Sequence, residues 1–121
     1  METMTRIEHK GETYNLVFNL NVMEEIQEEY GTLEKWGELT DTADGEPNAK
    51  AIKFGLMSML NEGIDIENEE SENPRKLLTS KQVGRIMTEI GLAKVAEKIQ
   101  ETVIDGVGAS DEPKKRKTTR K

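Results

Sequence analysis

Cysteine is absent from this chain. Its absence excludes a disulfide framework, thiolate zinc sites and cysteine nucleophiles, and is compatible with a reducing compartment. Aromatic residues make up only 4% and hydrophobic residues 34% of the 121 positions, so part of the chain contributes nothing to a core. Long apolar runs are missing too, and no segment approaches the ~20 apolar residues that a membrane span requires. The opening METMTRIEHK lacks the apolar centre of a signal peptide, so a soluble, unexported, cytoplasmic protein is expected. No glycine-rich phosphate loop and no recognised metal-ligand spacing occurs. The single histidine, His9, falls in an expected strand with no serine or carboxylate at a diagnostic distance in sequence, and reads as a surface residue. Carboxylates are plentiful, but they alternate with lysines on helix faces as solubilising side chains do. Neither catalysis nor a bound cofactor or metal is expected.

What the chain does hold is charge, unevenly spread. Residues 111–121 carry six basic and two acidic groups, +4, which leaves 11 basic and 22 acidic groups, −11, in residues 1–110. A body of that sign repels phosphate backbones over most of its surface, so nucleic acid is an unlikely partner. The length fits one domain.

The stretch Thr13 to Gly31 reads as a strand running into a helix. Tyr14, Leu16 and Phe18 alternate with Asn15 and Val17, the pattern of a half-buried strand. Asn19 and Asn21 offer side-chain oxygens to a helix start, and Gly31 suits its end. Arg6–His9 and Thr13–Phe18 flank Lys10-Gly11-Glu12, which predicts a hairpin over 5–18. Helices are predicted at about 21–30, 33–39, 47–61, 80–90 and 92–104. Thr32 caps the second, Pro47 opens the third, Gly63 ends it, and Gly91 separates the last pair. The fold class is therefore α+β, mostly α: a two-stranded hairpin packed on four to five short helices within residues 1–105, with a disordered basic tail at 106–121.

The connector IDIENEESEN after Gly63 invites comparison with a calcium loop starting at Asp65. Its sixth position is Glu70 where glycine is needed and its twelfth is Lys76 where a bidentate carboxylate is needed, so it reads as a solvated charge run. LTSKQVGRIMTEIGL has the outline of a helix-turn-helix, and a DNA-binding regulator using residues 79–103 is the competing reading. Its second helix interrupts Lys94, Lys98 and Gln100 with Glu97 and Glu101, a poor set for base edges. Lys114, Lys115, Arg116 and Lys117 read as a solubilising end in preference to a nucleic-acid contact.

Three strings, YNLVFNLNVMEEIQEEYGTLEKWGEL, KAIKFGLMSMLNEGIDIENEE and LTSKQVGRIMTEIGLAKVAEKIQETV, resemble the small tail assembly chaperones of long-tailed phages and prophages of Gram-positive bacteria. The likeness covers about Tyr14 to Val103. It implies a non-enzymatic role in the host cell cytoplasm: coating the long helical tape measure protein and helping recruit tail tube subunits, with a homo-oligomer possible. It also implies a longer frameshifted product, for which the lysine-rich run at 114–117 is the expected slippery region. A minor structural protein retained in the virion is a further alternative. Groove binding of an amphipathic helix uses adaptable apolar surface, and methionine is the adaptable residue. Phe54, Met57, Met59 and Met87 are the expected partner-binding surface, and the acidic body suits a basic partner.

Overall fold

Two residues with positive φ, Lys10 (54°) and Gly11 (81°), turn the first strand back on itself. That pair of left-handed residues is the turn whose twist matches antiparallel strands. The computed structural model describes residues 5–41 and 48–110, with side chains to Gly106. The expected helix start at Pro47 and the basic run at 114–117 lie outside those residues. Strand β1 (Thr5–His9) pairs with β2 (Glu12–Leu16), Ile7 opposite Tyr14 and Thr5 opposite Leu16. Ile7, Tyr14 and Leu16 point to the core, while the other face looks outward.

Pairing stops at Leu16, two residues before the expected end at 18. β1 begins opposite that residue, and the Val17 N–H instead reaches the carbonyl of Met59 at 3.4 Å. Phe18 is buried without belonging to the ladder. Asn19 then caps α1 (Leu20–Tyr30), accepting from the Val22 N–H at 3.2 Å. Asn21 plays no capping part. Its amide donates to Glu62 at 3.1 Å, as does that of Asn19 at 2.8 Å, so one carboxylate on a neighbouring helix holds the start of α1.

Thr32 caps α2 (Leu33–Thr40), and Asn48 caps α3 (Ala49–Glu69). The capping box of Thr79 and Gln82 opens α4 (Ser80–Ile90), and α5 (Leu92–Ser110) follows across Gly91. The fold is thus α+β and mostly helical, a two-stranded antiparallel sheet with five helices. Helix α3 is its axis, touching β2 and all four other helices. Ile52, Leu56, Met59, Leu60 and Ile64 make it the largest contributor to the core. No described helix is long and apolar enough to cross a membrane.

Two expected boundaries were wrong for one physical reason. Gly63 reads as a stop, yet α3 continues to Glu69. A Cβ at Gly63 would lie 2.4 Å from the Asn15 carbonyl oxygen, so this glycine admits the backbone of β2 against the helix. Ile64, just beyond it, is 2% exposed, and its burial rewards another turn. Likewise α5 runs to Ser110, past the expected end near 104 and the expected tail start at 106. Gly106 packs on Phe18, whose carbonyl oxygen would lie 2.6 Å from an added Cβ.

The connector expected to be a solvated charge run is partly built in. Asn68 exchanges two hydrogen bonds with the Arg75 backbone (2.8 and 2.9 Å), and Asn61, two turns earlier, does the same with Leu78 (3.1 and 2.8 Å). Each side-chain amide serves as a peptide group and lays the returning chain along α3.

Candidate docking surfaces

The four residues expected to meet a partner do not share one surface. Met59 is fully buried (0% exposed), on the stripe of α3 with Ile52 and Leu56, and a partner cannot reach it without opening the core. Met87, 6% exposed, belongs to the core as well and shows only its edge in a cleft. Phe54 and Met57 are half-buried. Phe54 meets the ring of Tyr30 edge-on, with centroids 5.5 Å apart, which anchors α1 to α3. Met57 lies one turn beyond Phe54 and Lys53 on the outer side of α3.

The cleft that Met87 floors lies where α3, α4 and α5 meet. It has a volume of about 410 Å³, and Lys50, Lys53, Gly84, Thr88 and Leu92 complete most of its wall. Of the four expected residues only Met87 lines it, with two lysines that the sequence reading had not joined to it.

A second depression lies between α2 and α5. Leu33, Trp36, Ile99, Val103 and Ile104 line a groove of about 180 Å³, with no charged residue on its walls. Trp36 is held at its base: the indole N–H donates to the Ala51 carbonyl at 3.0 Å, and the side chain is only 2% exposed. A glycine at position 55 makes room, since a Cβ there would lie 2.3 Å from Trp36 Cζ2. Ile104 is 69% exposed at the rim. The sequence carried a signal for this groove. Val103 and Ile104 are adjacent, about 100° apart on a helix, and only Val103 continues the stripe of Val95, Ala96 and Ile99.

The polar side chains around the hairpin bind the fold together. Arg75 donates to Glu67 (2.8 Å), Glu12 (3.1 Å) and the Thr13 carbonyl (3.2 Å), and its guanidinium lies 4.8 Å from the centre of the Tyr14 ring. Partial burial pulls its pKa down, but the hydrogen bond and charge of Glu67, with Tyr14 and Glu12, outweigh that and hold it above the ordinary arginine value. His9 sets a ring nitrogen against the Glu89 carboxylate and so links β1 to α4. The Ser58 hydroxyl donates to Glu25 and links α3 to α1. Among the described residues no three His, Asp or Glu side chains are grouped as metal ligands.

As for the possible helix-turn-helix, α4 and α5 do form a corner at Gly91. The outer side of the second helix exposes Lys94, Glu97, Gln100 and Glu101 together, a face of mixed sign. Comparison with protein-family models, curated proteins and solved structures finds no match for this chain.

Proposed function

We propose that this chain is a non-enzymatic assembly chaperone that covers an amphipathic helical segment of another protein, of the kind the tail assembly chaperones of long-tailed phages provide for the tape measure protein. The observation that carries the reading is the uncharged groove between α2 and α5, with Ile104 standing 69% exposed at its edge. Covering one such isoleucine contributes about 1.5–3 kcal/mol. A groove of this width takes the apolar side chains of a helix one or two at a time. The acidic body keeps the chain soluble while that surface waits for its partner. On this reading the site of action is the host cytoplasm and the tail tube subunit is a second partner. The sequence likeness over Tyr14 to Val103 supports the same assignment.

The test is coexpression with a phage tape measure protein. Its soluble fraction rises with the parent chain and falls back with Ile104→Asp, which places a charge at the rim of the groove. A tape measure protein equally soluble alone overturns the reading. Tight, salt-resistant binding of one DNA duplex would favour the regulator instead, and detection of the chain in purified particles would favour a structural tail protein.

A further inference from the structure

The cleft where α3, α4 and α5 meet differs from the rest of the molecule in the sign of its charge. Residues 1–110 carry −11, yet among the described residues the charged ones lining the cleft are Lys50 and Lys53, with no carboxylate. Neither lysine forms an ion pair with a described residue. Lys53 is half-buried and reaches across to α4, where its Nζ would lie 3.6 Å from a Cβ on Gly84. Lys81 shares that side of α4, one turn before Gly84. Between the cations the wall is apolar, made by Ala49, Met87 and Leu92, and Gly84 and Gly91 leave it open. Helices α3 and α5 begin here and α4 ends here, so two positive dipole ends face one negative end and add to the lysines.

We infer that this cleft docks an acidic peptide segment of a partner protein. One large apolar side chain of that segment enters over Met87 and Leu92, and flanking carboxylates pair with Lys50 and Lys53. Charge complementarity selects this occupant. An acidic segment is repelled by the net charge of the body and attracted where two lysines border an apolar floor, which fixes its register as well as its place. The inference does not rest on the chaperone reading, because the groove between α2 and α5 has no part in it.

The test uses the full chain, isotopically labelled, titrated with a synthetic amphipathic peptide of Leu and Glu. Amide shifts are expected at Lys53, Gly84, Thr88 and Gly91, with an affinity that falls as salt is raised. The double variant Lys50→Glu/Lys53→Glu weakens binding about tenfold or more, whereas Lys50→Arg/Lys53→Arg retains it. Glutamates suit the first turns of α3, so the reversal leaves the fold intact. A thermal melt checks this, and Lys50→Gln/Lys53→Gln replaces the reversal if the melt shifts. Absence of shifts at the cleft, or equal affinity in the double variant, overturns the inference. Self-association of the parent chain that the double variant abolishes would assign the cleft to a second copy and overturn it equally.

Discussion

Replacing Gly55 by alanine should destabilise this protein, although the same change in a helix interior ordinarily stabilises it by about 1 kcal/mol. The added Cβ would lie 2.3 Å from Cζ2, 3.1 Å from Cε2 and 3.3 Å from Nε1 of Trp36. The indole has to move, and at 2% exposed it is packed on every side except towards the groove between α2 and α5. Overpacking of this kind costs about 1–3 kcal/mol. Movement of the ring also breaks the 3.0 Å bond to the Ala51 carbonyl. A buried N–H left without a partner costs about 1–3 kcal/mol more. After the gain in helix propensity, a net loss of about 1–5 kcal/mol is expected. Urea unfolding followed by far-ultraviolet circular dichroism measures it. The midpoint should fall by about 0.5–2.5 M, given slopes of about 2 kcal/mol/M for small proteins. Gly37→Ala on α2 is the internal control, because an added Cβ there meets nothing within 4 Å. That variant should gain about 0.5–1 kcal/mol. A Gly55→Ala protein as stable as the parent, or a Gly37→Ala protein equally damaged, refutes the packing argument.

Substitutions at two further positions probe the polar framework. Burial and the neighbouring charge of Glu29 push the Tyr30 phenol above its ordinary value, and its hydroxyl has no hydrogen-bond partner among the described residues. The folded state holds this proton more tightly than the unfolded chain does. The contribution is therefore complete below pH ~10 and lost as pH rises through the folded value. Tyr30→Phe should be neutral to slightly stabilising at neutral pH and should lose less stability than the parent in urea titrations above pH ~10; an unchanged alkaline slope contradicts this. Arg75→Ala should cost about 1–2 kcal/mol, and Arg75→Lys should restore less than half, since an ammonium cannot fork between two carboxylates while lying over the Tyr14 ring. Full recovery with lysine, read from urea midpoints, would reduce the Arg75 contacts to simple charge.

Local chemistry was legible in the sequence wherever a residue acts on its own neighbours. Asn19, Thr32 and Thr79 cap helices because their side chains reach N–H groups three residues on. The alternation of Tyr14 and Leu16 gave the buried face of β2, and Phe18 carries that burial past the end of the ladder. Gly63 and Gly106 misled because a glycine that ends a helix and a glycine that admits another backbone look alike in one sequence. The contacts that separate them, with Asn15 and Phe18, come from residues 48 and 88 positions away in the chain. Asn61 and Asn68 gave no hint that they would pair with the backbone of the returning chain, since polar residues on a helix or in a charged connector ordinarily face water.

The candidate surface was only half legible. The search for adaptable apolar surface pointed to Phe54 and Met57, which remain partly accessible, but also took in Met59, which the stripe of α3 buries completely. Ile104 was passed over because it follows a residue that satisfies the helical period. A side chain outside that stripe is where an apolar surface without a function inside the fold shows itself.

The most direct measurement is amide hydrogen exchange of the full chain, alone and mixed with a helical segment of a tape measure protein, the proposed partner. Slowed exchange concentrated in Leu33–Thr40 and in the turns of α5 around Ile99–Ile104 is the expected result. Protection confined to other helices, or exchange unchanged by the segment, would contradict the claim that the groove between α2 and α5 shelters the partner.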